Sequence, residues 1–152
     1  DSAPDPVGLA IGRARRLLHL GEWHCRRAEL TQAQEQIDAA QELLRSVLDA
    51  DHPRMGAVLR GRACIARQAG DVADEIALRR QALELWEAST GADSHLSVEA
   101  RLELAETLLR ADQADAARTL FAAPDEHIDR LFVSGSPQVR MREHVRQALD
   151  PG

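Results

Sequence analysis

Small and apolar residues recur along this chain at spacings of three and four, the period of an α-helix that buries one face. Leu59, Ala63, Ala66 and Ala69 form one such stripe. Val72, Ile76, Ala82, Leu83 and Trp86 form a second, and Val98, Leu102, Ala105 and Leu109 a third. Ala114, Ala117, Leu120 and Phe121 form a fourth. Upstream, the pattern predicts helices over Val7 to Ala28 and Thr31 to Leu48. Helix boundaries are marked as well. Asp51 is placed to cap a helix with Pro53 in its first turn. Gly70 ends that helix, Asp71 caps the next, and Gly91 stops it. Pro124 predicts a break, followed by a short helix from Asp125 to Val133. A last amphipathic helix is expected over Pro137 to Leu149, with Val139, Val145 and Leu149 as its buried stripe.

The pattern is also periodic on a longer scale. Asp51-His52-Pro53 and Asp93-Ser94-His95 lie 42 residues apart, and the same spacing aligns seven triples without gaps. They are Leu20, Arg62 and Leu104; Gly21, Ala63 and Ala105; His24, Ala66 and Leu108; Ala33, Glu75 and Ala117; Ile37, Arg79 and Phe121; Ala40, Ala82 and Pro124; and Leu44, Trp86 and Ile128. Gly135-Ser136-Pro137 is a weaker copy of the loop. Each unit reads as two helices. Gly21 falls inside the first helix, at a cost of about 1 kcal/mol relative to Ala. Close packing of the paired helix explains it, since Ala63 and Ala105 hold the equivalent places.

Composition narrows the class. The chain has 152 residues, a net charge of −6, 44% hydrophobic residues and 3% aromatic residues. Such length allows one domain or a short array of small units. Abundant Ala, Leu, Glu, Gln and Arg, with few β-branched residues, indicate an all-α protein. No apolar run is long enough to span a membrane. The acidic balance argues against nucleic acid as a partner. Lys, Tyr and Asn are absent, so all 19 basic residues are Arg. Their A/T-rich codons point to a GC-rich bacterial genome. The Asp1-Ser2-Ala3-Pro4-Asp5-Pro6 opening reads as a linker, and the chain as a piece of a longer protein.

Leu20-Gly21, Gly70-Asp71-Val72 and Arg80-Gln81-Ala82-Leu83, closed by Thr90-Gly91-Ala92-Asp93-Ser94-His95, resemble tetratricopeptide repeats. The 42-residue period and the Asp51-His52-Pro53 loop resemble the kinesin-light-chain subtype. The resemblance covers residues 10 to 133. It implies a right-handed superhelical solenoid of about three helix pairs, over residues 7–50, 51–92 and 93–133, after a linker of residues 1–6. Residues 134–150 would then form a loop and a C-terminal capping helix. The sequence departs from the family where Arg62 replaces a core Leu, Glu75 a small Ala and Arg79 an aromatic residue. Leu18, Arg60 and Leu102 stand where the family's groove asparagines are usual, which argues against a backbone clamp.

In the resembled family the first helix of each unit lines a concave, peptide-binding groove. The positions away from the apolar stripes are Arg15, His19, Glu22 and Arg26 in the first unit. They are Arg60, Cys64 and Arg67 in the second, and Glu99, Glu103, Glu106 and Arg110 in the third. Such a groove is basic toward its N-terminal half and acidic beyond. Arg60 and Arg67 are suited to hold a carboxylate or an acidic peptide by bidentate hydrogen bonds. The competing reading is a set of solvated helix faces. Arg13-Ala14-Arg15-Arg16 and Arg26-Arg27 are short basic runs that could steer an acidic partner, though solvation accounts for them more simply.

Cys25 and Cys64 are expected as free thiols in a reducing cytoplasm, because adjacent helices ordinarily run too far apart for a bridge. His24 and His19 do not match a strong metal motif, and no metal or cofactor is expected. His52 and His95 sit at helix starts, and His127 and His144 are isolated. No nucleophile elbow, P-loop, zinc-protease motif or dinucleotide fingerprint occurs, so no enzyme is expected. The function expected is a peptide- or protein-binding scaffold. The alternatives are a regulatory region of a larger bacterial signalling protein, such as a kinase or transcription regulator, and a self-association module forming a homodimer.

Overall fold

A computed structural model describes residues 3–150, with the side chains of residues 121–127 and 129 left outside the description. Among the described residues the chain is all-helical. Its helices are α1 (Pro6–Arg26), α2 (Leu30–Arg45), α3 (Met55–Gln68), α4 (Val72–Thr90), α5 (His95–Arg110), α6 (Ala114–Leu131) and α7 (Pro137–Leu149).

The turn inside each helix pair is built in the same way three times. Residues 28, 70 and 112 adopt positive φ, as Ala28 (59°), Gly70 (78°) and Asp112 (58°). The next residue in each case donates its amide hydrogen to a carbonyl five positions back. These bonds are Glu29 N to His24 O at 2.9 Å, Asp71 N to Ala66 O at 2.9 Å, and Gln113 N to Leu108 O at 2.8 Å. A left-handed residue followed by such a bond is a helix-ending device that satisfies orphan carbonyls. The following helix therefore starts at Leu30, Val72 and Ala114, in step with the sequence period. Asp71 caps α4 as expected, its Oδ1 accepting from Asp74 N at 3.0 Å.

Starts of the first helices vary more. Ser94 and Ser136 cap α5 and α7 through their hydroxyls, which accept from Ser97 N and Val139 N. His52 holds the equivalent place before α3, where its Nδ1 accepts from Arg54 N at 3.1 Å. Asp51 does not cap α3. Turn hydrogen bonds through His52, Pro53 and Arg54 delay that helix to Met55. The α3 stripe is correspondingly displaced. Met55, Val58, Gly61, Ala63 and Ala66 are buried, whereas Leu59 is half-buried and Ala69 exposed.

Two compact units divide the chain, at residues 1–78 and 79–152, and the boundary falls inside α4. In the first, α1 packs on α2 and α3 packs against both. Its core holds Ala14, Ala33, Ile37, Ala40, Leu44, Val58 and Ala63. Gly21 and Gly61 both face Ile37. A Cβ at either would lie 2.8 Å from an Ile37 side-chain carbon. The reading of Gly21 as a close-packing residue therefore holds, and Gly61 shares the role.

In the second unit α5 packs on α6, and α7 packs against both. Its core includes Trp86, Val98, Leu102, Leu104, Leu108, Ala117, Ile128 and Val145. Helix α6 continues to Leu131 without the break expected at Pro124 and without a separate helix from Asp125. Ala117 and Ile128, three helical turns apart, are both fully buried and anchor the helix on either side of that proline. The side chains of Phe121 and Pro124 lie outside the described residues. On α7, Val145 and Leu149 are buried as expected and Val139 is half-buried, while Arg142 joins the buried face.

Candidate functional site

Within the first unit the predicted stripes on α1 and α3 lie on helices that pack together. Arg15, His19 and Arg26 are exposed and Glu22 is half-buried. On α3, Arg67 is exposed, and Arg60 and Cys64 are half-buried.

Cys64 does not carry a free thiol. It is bonded to Cys25 across α1 and α3, with the two Cα atoms 6.5 Å apart. The expectation of free cysteines assumed an ordinary spacing between helices. Gly21 and Gly61 instead present only backbone to Ile37, so α1 and α3 converge to bridging range. The argument from free thiols to a reducing compartment falls with it.

Around the end of α1, His24, Arg27 and Glu29 form a cluster. His24 Nδ1 lies 3.0 Å from Glu29 Oε2. Arg27 Nε donates to Glu29 Oε1. The guanidinium also sits 4.6 Å from the Trp23 ring centroid, a cation–π contact. Arg27 first, and His24 second, hold the Glu29 carboxyl below its ordinary pKa by hydrogen bonding to its charged form. His24 is thus engaged with a carboxylate at the turn. Among the described residues no group of three His, Cys, Asp or Glu side chains is arranged to hold a metal ion.

Two of the residues that depart from the repeat pattern, Arg62 and Arg79, are accommodated by pairing. Arg62 reaches Asp38 Oδ1 at 2.8 Å and Gln41 Oε1 at 2.5 Å on α2. Arg79 pairs with Glu103 at 3.2 Å. Glu75 is fully buried where the repeat has Ala33 and Ala117.

In the second unit the predicted acidic stripe is largely occupied. Glu99 lies 3.6 Å from His95 and accepts from Gln138 of α7 at 3.1 Å. Glu103 holds Arg79, and Glu106 lies 3.6 Å from Arg110. The three glutamate side chains are only 16%, 15% and 20% exposed. These carboxylates therefore act mainly within the protein. Arg101 was not singled out by the sequence reading, because it falls between apolar neighbours. It is buried and fixes the α4–α5 connection, donating to Glu87 and to the Ala92 carbonyl. His144 is exposed, and the His127 side chain lies outside the described residues.

The charged residues of the predicted site in the first unit are mostly positive, with Arg15, Arg26, Arg60 and Arg67 against Glu22. No helix among the described residues is long and apolar enough to cross a membrane. Comparison with protein-family models and with characterised proteins finds no match to this chain.

Proposed function

We propose that this chain is a non-catalytic, peptide-binding repeat module of the tetratricopeptide kind. In this reading three helix pairs wind as a right-handed solenoid, α7 caps the array, and the ligand lies along the first helix of each pair. The observation that carries it is the thrice-repeated turn at residues 28, 70 and 112, with its identical hydrogen bond and its fixed spacing. A repeated supersecondary unit that stacks on its neighbours produces an extended surface suited to a peptide.

Charge indicates the ligand class. The α1 and α3 stripes carry Arg15, Arg26, Arg60 and Arg67 against the single acidic residue Glu22. A carboxylate-bearing segment is the complementary ligand, and guanidinium groups hold carboxylates in two-pronged fashion.

The test is an array of decapeptides that differ in carboxylate content, probed with the wild-type chain and with Arg60→Glu/Arg67→Glu. Carboxylate-rich peptides should bind, with at least tenfold weaker binding to the double variant. Arg67→Glu alone, at an exposed position, should weaken binding in the same direction and controls for folding. Unchanged binding by both variants would remove the groove assignment.

A further inference from the structure

Leu9, Arg13, Arg16, Leu20, Trp23 and Arg27 fall on one line along α1, spaced three or four apart. All six are exposed. Leu9, Leu20 and Trp23 are 50%, 47% and 48% exposed, an unusual density of large apolar surface on one helix. The line runs for about 27 Å at 1.5 Å per residue. It lies beside the buried stripe of Ala10, Ala14, Gly21 and Cys25, and it is distinct from the Arg15, His19, Glu22 and Arg26 stripe of the proposed groove.

The internal repeat identifies what such a line is shaped to meet. One period on, the corresponding positions of α3 include Met55, Val58 and Arg62. Met55 and Val58 are buried, and Arg62 reaches Asp38 and Gln41 of the helix α2. Two periods on, Ser97, Ala100, Leu104 and Thr107 of α5 are all buried. Three periods on, in α7, Arg142 and Leu149 are buried, Val139 is half-buried and Arg146 is exposed. The line is thus covered along α5, mostly covered along α3, partly covered along α7 and exposed throughout in α1. In α3 a neighbouring helix supplies a carboxylate and an amide acceptor to it.

We infer that this face of α1 is a docking surface for an acidic amphipathic helix of another protein. Its side chains specify the ligand. Leu9 at one end and Leu20 with Trp23 toward the other call for apolar residues at both ends of the bound stripe. Arg13 and Arg16 between them call for carboxylates, where α3 carries Met55 and Val58. Arg27, stacked on Trp23 and paired with Glu29, closes the far end of the line, so the cations presented to the ligand are Arg13 and Arg16. The −6 net charge of the chain makes this cationic line a local feature. It draws an acidic helix to α1 specifically.

The probes are two synthetic helices of 21 residues in an Ala/Gln background, each made in both sequence directions. Both carry apolar stripe residues facing Leu9, Leu20 and Trp23. Facing Arg13 and Arg16, one carries Glu and the other Arg. By calorimetry in low salt, the Glu helix should bind and the Arg helix should not. Arg13→Glu/Arg16→Glu should weaken the Glu helix at least tenfold, and so should a rise from low to high salt. Arg60→Glu/Arg67→Glu should leave its affinity unchanged, which separates this surface from the groove. Circular dichroism of Arg13→Glu/Arg16→Glu should be unaltered, since both residues are exposed.

Equal binding of both helices, binding of neither, or indifference to Arg13→Glu/Arg16→Glu would overturn the assignment. So would sedimentation of the protein alone as a dimer that Leu20→Glu/Trp23→Glu disperses, because the occupant would then be a second copy. Flotation with phosphatidylserine vesicles, lost in Arg13→Glu/Arg16→Glu and without binding of the Glu helix, would assign the face to a lipid surface instead.

Discussion

Ile37 sits between two glycines that approach it from different helices. A Cβ at Gly21 would lie 2.8 Å from Ile37 Cγ1, and one at Gly61 would lie 2.8 Å from Ile37 Cδ1. Moving the isoleucine away from one helix pushes it toward the other. Gly21→Ala and Gly61→Ala should therefore each destabilise the protein by about 1–2 kcal/mol, overpacking outweighing the gain in helix propensity. The two should differ in an Ile37→Val background. Loss of Cδ1 relieves Gly61→Ala, whereas the carbon nearest Gly21 remains. Denaturant titration of the double variants checks this, and equal relief of both would contradict the packing described. Gly21 was legible from sequence because a helical glycine has a cost that needs a reason. The Cys25–Cys64 bridge was not, because it depends on Gly21 and Gly61 acting together across a contact that sequence spacing does not define. At the end of α1, Glu29 has a lowered pKa, so its pairing with Arg27 and His24 stabilises the fold above the carboxylate range. That contribution is lost as pH falls through the lowered pKa. Glu29→Gln should reduce stability at neutral pH, and the difference from wild type should vanish in acid, as followed by thermal melts across pH. A difference that grows in acid would contradict the pairing.

Among the elements, the three turns at residues 28, 70 and 112 share one backbone shape but not one residue type. Gly70 adopts its positive φ without steric cost, whereas Ala28 and Asp112 hold it with a side chain. Ala28→Gly should stabilise the protein by about 0.5–1 kcal/mol, and Gly70→Ala should destabilise it by about 1 kcal/mol. The Cβ at residue 70 would meet open space, so the effect there is conformational. Opposite signs at equivalent positions are the diagnostic result, and matching signs would mean that the turns are not equivalent. The ends at Gly70 and Gly91 were readable because glycine is the usual residue for a left-handed helix end. Those after α1 and α5 carry Ala and Asp, and only the long period reveals them. The start of α3 was misread for a related reason. Asp and Pro form a good local capping signal, but the turn through His52 to Arg54 uses those residues before the helix begins. Pro124 was misread because burial at Ala117 and Ile128, which local propensity does not register, carries α6 across it.

For the molecule as a whole, the disulfide lies within the first unit and ties α1 to α3. Its closed loop restricts the unfolded chain, and such bridges contribute about 2–4 kcal/mol. Reduction should therefore lower protection from hydrogen exchange across α1, α2 and α3 more than across α5, α6 and α7. Equal loss in both sets would mean that the two units open as one. The fold class was readable at this scale, since helical periodicity extends along nearly the whole chain. The charge distribution was only partly readable. Sequence places four charged residues on the outer side of α5, but pairing through Arg79, His95 and Gln138 occupies its glutamates. The repeated turn has a further consequence for how the chain can tolerate changes in length. Its connectors span residues 27–29, 69–71 and 111–113, whereas those leading into the next pair span 46–54, 91–94 and 132–136. Inserted sequence is thus admissible only between pairs. An epitope tag spliced after Val47 should leave the protein folded, while the same tag after Ala28, Gly70 or Asp112 should unseat a helix from its partner.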